Sequence, residues 1–456
     1  MKGFTKKVVG LFLVLTLVMS LTACGGDDAG STDSSTDTGT DTSADSGSTD
    51  SGSTDTDTDS GDDAEEVTLT LWSIATESDA FNPAYTNAIA DYEAAHPGVT
   101  IVHETFENES YKTKIKTAVA ANDLPDIFFT WGGGFSQAFV ESEKVMPLDD
   151  YYADYSDELN QAALGNATYN GQIYGSTYST PVSLLFYNKK MFDERGLTAP
   201  TTFEEWKTVN QAFLDDGITP IGISVKDTWV LAMTHDALTL KSAGPEKVHN
   251  VLTKTSGSYN DPDFINASAS LVELIEMGAL IEGAAGLSND EASQLFYNGT
   301  VPMYITGSWM AGSIYTDSET PEDFDLAPIP VLNDENAQIT DFMGGASDTL
   351  MVAASTEHPE EAGNAAFELA RSISKYAYLD GAGVAAWNVD YDESDIKPLV
   401  QKVAQNARNA TSFTLWFDTL MEAGDAGEYL ALLQELYIGN LTPEEFAEAM
   451  ADQLGQ

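Results

Sequence analysis

Tryptophan residues beside glycine or polar residues are the most chemically suggestive feature of the sequence. Trp131 precedes three glycines, and Trp309 follows Gly307-Ser308 after a strand-like run. An indole ring stacks its flat apolar face on the C–H face of a sugar, while Asp, Glu and Asn side chains hydrogen-bond the hydroxyl groups around the rim. Each of these Trp residues alone fits a core position equally well, but together they favour a polyhydroxylated ligand. Trp206 follows a helix-start signal and is expected in the core.

Common catalytic motifs are missing from the sequence. It contains no GxSxG, HExxH, Walker A or GxGxxG pattern, and its five histidines lack metal-ligand spacing. Ser372-Ile373-Ser374-Lys375 matches SxxK, but it lies near the end of an ordinary predicted helix without partner motifs. Carboxylate pairs for glycoside hydrolysis stay open, because the many acidic residues offer countless pairs. We therefore predict no catalytic residue, no metal site and no cofactor.

The elements that must position these tryptophans begin abruptly at Val67. Apolar residues alternate with threonines over 67–72, which predicts a strand. The next predicted elements are a helix over 81–92, a strand over 99–102, a helix over 111–119 and a strand over 126–129. This β-α-β-α-β order predicts a parallel sheet with helices on both faces, whose ligands sit beyond the carboxyl ends of its strands. Those ends are 72–79, 106–108 and 131–134.

Later segments carry helix signals. Thr202 with Glu205, and Thr442 with Glu445, have the spacing of a capping box at a helix start. Residues 356–374 have an apolar stripe at helical spacing.

The single cysteine, Cys24, follows a secretion signal. Three lysines precede the apolar run 8–21, which reaches about 21 Å as a helix and is shorter than the roughly 30 Å hydrocarbon core of a membrane. We therefore expect residues 1–23 to be a signal peptide. Leu21-Thr22-Ala23-Cys24 resembles the bacterial lipobox, in which the thiol receives a diacylglycerol. The mature chain is then expected to be tethered through Cys24 to the outer face of the cytoplasmic membrane.

A strongly acidic segment follows Cys24. Residues 25–66 contain 14 Asp and Glu, no Lys or Arg, and no large apolar residue, so 24–66 is a predicted disordered linker. Asp55, Asp57, Asp59 and Glu66 fall at positions 1, 3, 5 and 12 of a calcium loop, but Ser60 replaces the turn glycine, and we favour the linker interpretation. The whole chain has a formal net charge of −53, which argues against nucleic-acid binding.

Six motifs in order resemble one known family. They are Pro125–Trp131, Tyr178–Pro181 with Phe186–Phe192, Pro200–Trp206, Phe296–Met303 leading to Trp309, Gly344–Ala346, and Gly439–Glu445. In this order and spacing they are similar to the extracellular solute-binding proteins of ABC importers, in the family-1 class that includes maltodextrin-binding proteins. The resemblance covers 67–456.

The resemblance implies two α/β lobes joined by three crossing segments, with the ligand in a cleft between the lobes. The crossings should fall near 178–185, 339–345 and 378–386. The first lobe would hold 67–180 plus 346–378, and the second 181–345 plus 379–456.

The resemblance also implies which residues bind the ligand. Trp131 resembles a stacking residue of the first lobe, Trp309 and Trp416 resemble stacking residues of the second, and Trp229 falls where the family often has Tyr or Trp. Hydroxyl partners would come from Glu77, Asp79, Glu107 and Asn108, and backbone groups would approach the ligand at Gly345. Many members have a Pro soon after Gly381-Ala382-Gly383, whereas here Trp387 follows, which either enters the cleft or packs the hinge.

The function implied is that of a monomeric substrate-binding lipoprotein. It would capture a carbohydrate, an oligosaccharide rather than a monosaccharide, by lobe closure and deliver it to the membrane subunits of an ABC permease. Three alternatives stay open: a non-sugar solute such as a glycerol phosphodiester or polyamine, a lipid-anchored glycan hydrolase or lyase, and a surface adhesin.

Overall fold

The computed structural model describes residues 66–159 and 161–456. The predicted signal peptide, Cys24, the calcium-loop aspartates and all of the predicted linker except Glu66 lie outside these residues. Within the described part, no helix is long and apolar enough to cross a membrane.

Thirteen strands and sixteen α-helices form in the described residues. The strands are β1 Val67–Ser73, β2 Val99–Thr105, β3 Ile127–Trp131, β4 Thr168–Tyr169, β5 Gln172–Ile173, β6 Gly175–Ser179, β7 Ser183–Asn188, β8 Ile221–Gly222, β9 Met303–Gly307, β10 Phe324–Ala327, β11 Asp341–Met343, β12 Asp348–Val352 and β13 Ser412–Thr414. The helices are α1 Asn82–Ala95, α2 Asn108–Ala121, α3 Gly134–Glu141, α4 Asp149–Tyr152, α5 Lys189–Asp193, α6 Phe203–Asp215, α7 Thr228–Ala243, α8 Pro245–Leu252, α9 Pro262–Glu276, α10 Asn289–Tyr297, α11 Met310–Asp317, α12 Pro359–Asp380, α13 Pro398–Arg408, α14 Phe417–Leu420, α15 Ala423–Tyr437 and α16 Pro443–Leu454.

A five-stranded sheet in the order β2-β1-β3-β12-β6 organises the first lobe. β1 pairs in parallel with β2 and β3, whereas β12 runs antiparallel to both β3 and β6. Leu69, Phe128 and Leu350 of this sheet are fully buried in one hydrophobic core with residues of α1 and α12. The predicted β-α-β-α-β start is confirmed, and its strands extend to Ser73, Thr105 and Trp131.

A second, four-stranded sheet in the order β10-β7-β9-β8 lies in a separate hydrophobic core. β7 is antiparallel to β9 and β10, and β8 is parallel to β9. Phe186, Trp206 and Leu271 are completely buried in this core, which also takes residues from α13, α15 and α16. We refer to it, with its sheet, as the second lobe. Mixed α/β structure with helices flanking each sheet, as predicted, is confirmed.

The helix starts predicted from capping boxes are confirmed. Both predicted capping boxes form, at Thr202–Glu205 and at Thr442–Glu445. The predicted helix over 356–374 is α12, which starts at Pro359 and continues to Asp380, where Gly381 takes the left-handed conformation with φ 88°.

Three segments connect the two sheets and are hydrogen-bonded to one another. The Gly345 N–H donates to the Pro181 carbonyl at 2.9 Å, joining the segment between β6 and β7 to the segment between β11 and β12. The Thr180 N–H donates to the Val384 carbonyl at 2.9 Å, joining the first of these to the segment after α12. We propose that these crossings divide the lobes; the residue boundaries given above stay a prediction.

Gly344 and Gly345 provide a matched pair of substitutions for testing the crossing. Both have φ near 128°, at 129° and 127° respectively. A Cβ at Gly344 would lie 2.1 Å from the Pro181 carbonyl oxygen, whereas a Cβ at Gly345 would meet nothing closer than 3.6 Å. Gly345→Ala should lower the free energy of unfolding by about 1–3 kcal/mol through backbone strain alone. Gly344→Ala should lower it further, as measured by urea denaturation. Equal losses for the two variants would contradict a close crossing at Pro181.

Candidate ligand-binding site

One edge of the first-lobe sheet collects polar and aromatic side chains. β1, β2, β3 and β6 all end there, and the antiparallel β12 begins there. Asp348 pairs across the ladder with Trp131 on one side and with Ser179 on the other. The Ser179 hydroxyl is buried without a hydrogen-bond partner. This edge thus offers an indole, a carboxyl group and an unpaired hydroxyl next to each other.

Trp131 is half-buried and is held by other aromatic rings. Phe129 and Phe135 contact it edge-on at centroid distances of 4.8 and 5.0 Å. Lys112 Nζ lies 5.5 Å from the ring centroid, and the same ammonium pairs with Glu109 at 2.9 Å. These phenyl rings are inclined by 76° and 74° to the indole, so neither of them stacks in parallel on a face of Trp131.

Two aspartates at this edge have raised pKa values. Burial raises the pKa of Asp79 to about 6, although the Phe81 N–H donates to its carboxylate at 2.8 Å. Burial also raises the pKa of Asp348 to about 7, and the charge of Asp79 adds to this rise. Among the described residues, the Asp348 carboxyl group accepts one hydrogen bond, from the Ser347 hydroxyl at 3.4 Å. Both groups have spare acceptor capacity for hydroxyl donors.

The other predicted polar residues lie at the ends of neighbouring strands. Glu107 caps α2 by accepting the backbone N–H groups of Glu109 and Ser110. Asn108 begins α2, and its Oδ1 is buried without a partner. Glu77 is exposed on the loop after β1. Of these residues, Asn108 offers the clearest free acceptor, whereas the Glu107 carboxylate already satisfies a helix end.

The second lobe brings three predicted tryptophans together as one cluster, Trp229, Trp309 and Trp416. Trp309 lies in the middle, with its centroid 6.2 Å from each neighbour. Trp416 is buried, and its Nε1–H donates to the Ser183 hydroxyl at 2.8 Å. Trp229 and Trp309 are half-buried. We call these three residues the Trp cluster.

Gly307 makes the arrangement of Trp309 possible. A Cβ at Gly307 would lie 2.1–2.5 Å from carbons of the Trp309 ring, so the ring folds back onto a residue without a side chain. Ser183, which supports Trp416, pairs directly with Gly307 across β7 and β9. The end of β9 and the start of β7 therefore set the position of the whole Trp cluster.

The segments that carry Trp131 and Trp416 touch each other between the lobes. A Cβ at Gly134, which starts α3, would lie 2.1 Å from the Met421 carbonyl oxygen, and a Cβ at Gly133 would lie 2.8 Å from that of Thr419. Lys112 Nζ lies 4.0 Å from Asp418 of α14. Gly133 and Gly134 thus allow the first lobe to approach the turn that follows Trp416, whereas Gly132 lies against Asn166 of the first lobe itself.

Carboxylates of the two lobes also face each other. Asp290, at the start of α10 in the second lobe, adds to the raised pKa of Asp79. Burial raises the pKa of Asp290 itself, and Asp227 and Glu107 add to that rise. Within the described residues, no group of three or more His, Cys, Asp or Glu side chains is arranged to hold a metal ion.

Two predicted site residues lie apart from these surfaces. Trp387 is buried in the first core against Tyr155 and Phe367, and its Nε1–H donates to the Thr177 carbonyl at 2.9 Å. We therefore leave it out of the proposed contact surface. Gly345 is buried at a crossing, where its N–H is already taken by Pro181.

Sequence reasoning did not select Asp348, Asp290 or Ser183. The available signal for Asp348 was its place directly after the Gly344–Ser347 segment of a crossing. Asp290 lies inside the capping box Ser288–Glu291, which announces a helix start but not a position facing the other lobe.

A model of the bacterial extracellular solute-binding protein family matches residues 75–384. The chain belongs to this family. The predicted family membership and the predicted two-lobed α/β fold of this solute-binding protein are both confirmed.

Individual relatives agree with this assignment. The multiple sugar-binding protein of Streptococcus mutans is 23% identical over 359 residues, 74% of this chain and 80% of that protein. A solved structure from work on xylan utilization by Caldanaerobius polysaccharolyticus is 34% identical with a TM-score of 0.82, covering 85% of this chain and 99% of that one. A chitin oligosaccharide binding protein, 24% identical with a TM-score of 0.78 over 86% and 98% of the two chains, shares the fold.

The raised pKa of Asp348 predicts a pH dependence of stability. An unfolded aspartate titrates near 3.9, so between about pH 4 and pH 7 the folded solute-binding protein keeps a proton that the unfolded chain releases. Stability should therefore fall as the pH rises through this window. Asp348→Asn removes the ionisation, so its Tm should exceed that of the wild type at about pH 7.5, and the difference should shrink towards about pH 4.5. The exposed Asp334→Asn is the control, and a pH-independent difference for Asp348→Asn would contradict the assignment.

Proposed function

We propose that this protein is the substrate-binding component of an ABC importer and captures a neutral oligosaccharide between its lobes. The carrying observation is the contact between the segments after Trp131 and after Trp416, which brings the aromatic edge of the first lobe next to the turn that carries Trp416 in the second. A ligand that touches both edges is bound fully only when the lobes are together, so binding shifts the equilibrium towards that state. The family and the sugar-binding names of relatives support this proposal.

Several aromatic surfaces suit a ligand of more than one sugar ring. Trp131 stands on the first lobe, and the half-buried Trp229 and Trp309 stand on the second. Covering about half of an indole by a sugar face contributes on the order of 1–3 kcal/mol. A monosaccharide is too small to use all of these rings at once, and we therefore propose an oligosaccharide.

The charges at the site favour an uncharged ligand. Desolvation raises the pKa values of Asp79, Asp348 and the more exposed Asp290, and neighbouring carboxylates add to each rise. A uronate would add another negative charge to this group. Lys112 is a nearby cation, but Glu109 and Asp418 both face it. The raised pKa values would in turn fall when sugar hydroxyls donate to these carboxyl groups.

The first candidate for the sugar is a fragment of xylan. The relative at 34% identity comes from work on xylan utilization, and the match covers 99% of that chain. We further propose that the protein releases its ligand unaltered, because the family is one of binding proteins, and that it works as a monomer.

Anchoring and delivery complete the proposal. Cys24 would carry the lipid that holds the protein at the outer face of the cytoplasmic membrane, with residues 25–66 as a spacer. Two acyl chains give stable anchoring, whereas one gives marginal anchoring. The permease would then read the surface that forms when both lobes hold the ligand.

Thermal-shift screening tests the ligand class. We expect neutral xylo-oligosaccharides, chito-oligosaccharides or raffinose to raise Tm, and a uronic-acid oligosaccharide of equal length to have no effect. Trp309→Ala should weaken binding of the best sugar at least tenfold, since one stacking surface is lost. Chromatography of the sugar after incubation should show no cleavage.

The control for this experiment is Trp206→Phe, in the same lobe but fully buried away from the Trp cluster. It should lower Tm and leave the affinity within about twofold. If no carbohydrate raises Tm, the proposed ligand class is wrong. If Trp309→Ala melts early with unchanged affinity, Trp309 belongs to the core.

Lipid attachment is tested separately. In a bacterial host fed an alkyne-tagged palmitate, the wild-type chain should carry the label and sediment with membranes. Cys24→Ser should lose the label and appear in the medium or uncleaved. Ser20→Ala, which leaves the thiol in place, should behave as the wild type. Label retained by Cys24→Ser would rule out Cys24 as the attachment site.

A further inference from the structure

A chain of buried polar groups crosses the core of the second lobe and ends beneath the Trp cluster. Its members are Ser268 on α9, His235 and Asp236 on α7, and Tyr429 on α15. The Ser268 hydroxyl lies 3.0 Å from His235 Nε2, and His235 Nδ1 lies 2.9 Å from the Tyr429 hydroxyl. That hydroxyl also contacts Asp236 Oδ1, while the Phe417 N–H donates to Asp236 Oδ2 at 3.0 Å. All four residues are fully buried. We call this the polar relay.

Counting protons along the polar relay shows how it can be satisfied without charge. Tyr429 has one hydroxyl proton and touches two groups, so it cannot donate to both His235 and Asp236. With Asp236 protonated, Asp236 donates to Tyr429, Tyr429 donates to His235 Nδ1, and His235 Nε2–H donates to Ser268. The Ser268 O–H then donates to the Phe264 carbonyl at 3.2 Å. Every donor is used once, and no ion remains in the core.

The burial of the two ionisable members agrees with this count. Burial raises the pKa of Asp236 well above its usual range and lowers the pKa of His235 to about 3. His235 is therefore neutral near pH 7, and the shift of Asp236 is in the direction that favours its protonated form. An uncompensated ion in this position would be strongly destabilising.

The end of the polar relay holds the turn that presents Trp416. Phe417, whose N–H donates to Asp236, is the residue directly after Trp416. The Trp416 indole is fixed at its other side by Ser183, and its carbonyl accepts the Leu420 N–H at 2.8 Å. Trp416 in turn packs against Trp309, one of the two half-buried members of the Trp cluster. Asp236 is thus connected to Trp309 through one hydrogen bond, the peptide link between Phe417 and Trp416, and one ring contact.

We propose that Asp236 is a positioning residue for ligand binding, which acts in its neutral form through Phe417 and Trp416 to set the orientation of Trp309. The ligand named in this inference rests on the proposed function, whereas the effect of Asp236 on the position of the tryptophans can be measured without a ligand. Asp236 touches no ligand itself. A side chain that offers one acceptor to the Phe417 N–H and one donor to the Tyr429 hydroxyl should therefore preserve the function of Asp236.

Asn meets that requirement and Ala does not, which gives a pair of variants. In Asp236→Asn the carboxamide oxygen accepts the Phe417 N–H, and the NH₂ group donates to Tyr429. In Asp236→Ala both contacts are lost. Val248→Ala, in α8 of the same core, is the control for general destabilisation, because Val248 is fully buried but takes no part in the polar relay.

The first readout needs no ligand. The full chain is labelled with 5-fluorotryptophan, and the fluorine resonances of Trp309 and Trp416 are assigned from Trp309→Phe and Trp416→Phe. We expect both resonances to keep their positions in Asp236→Asn and Val248→Ala, and to shift or broaden in Asp236→Ala. The second readout is xylotriose affinity, which should fall at least tenfold in Asp236→Ala and stay within about twofold in the other two variants.

The outcomes separate this inference from the proposed function. Unmoved fluorine resonances in Asp236→Ala would overturn the inference, as would resonances that move as far in Asp236→Asn or in Val248→Ala. If Asp236→Ala does not fold, the Asn variant decides: native resonances support a neutral relay, and displaced ones refute it. If xylotriose does not bind the wild type, the choice of sugar fails while the fluorine result still decides the role of Asp236.

Discussion

The Pro181 carbonyl accepts the Gly345 N–H, and this contact sets how closely two of the crossing segments approach. Pro181 leads directly into β7 of the second lobe, and Gly345 leads into β12 of the first. Gly344 lies so close to the same carbonyl that it has no room for a side chain. One strand of each sheet, β7 and β12, therefore begins within three residues of this hydrogen bond. The start of β12 pairs with Trp131, and the start of β7 supplies the Ser183–Gly307 pair. The crossing therefore helps to position both parts of the site.

Exclusion of water shapes the chemistry at the site. Desolvation raises the pKa values of Asp79, Asp348 and Asp290. The charge of Asp290 adds to the rise at Asp79, and the charge of Asp79 adds to the rise at Asp348. Such groups are poor partners for an anion, but they accept hydroxyl protons well once a ligand displaces the remaining water. The Trp cluster adds apolar faces beside them. Neutral, hydroxyl-rich molecules with apolar faces match this combination, and this chemistry underlies the proposed ligand.

Local patterns in the sequence predicted much of the fold. The alternation at 67–72, the two capping boxes and the apolar stripe of α12 all reflect interactions within a few residues, and each of these elements is present. The site was predicted less completely because its members meet across the fold. Trp309 beside Gly307 is a local signal, whereas the environment of Trp387 is decided by the Thr177 carbonyl, 210 residues earlier. Asp348 and Asp236 owe their properties to burial and to distant neighbours, which no spacing along the chain displays.

Cys24 is the single cysteine of the chain, and residues 67–456 contain none. Any thiol introduced into the lobes is consequently unique there and can be coupled to an environment-sensitive dye without competing attachment. The turn at 419–421 is a suitable place, since Gly133 and Gly134 of the opposite lobe approach it at van der Waals range. A fluorophore fixed at that turn would turn the protein into an optical reporter of its own solute.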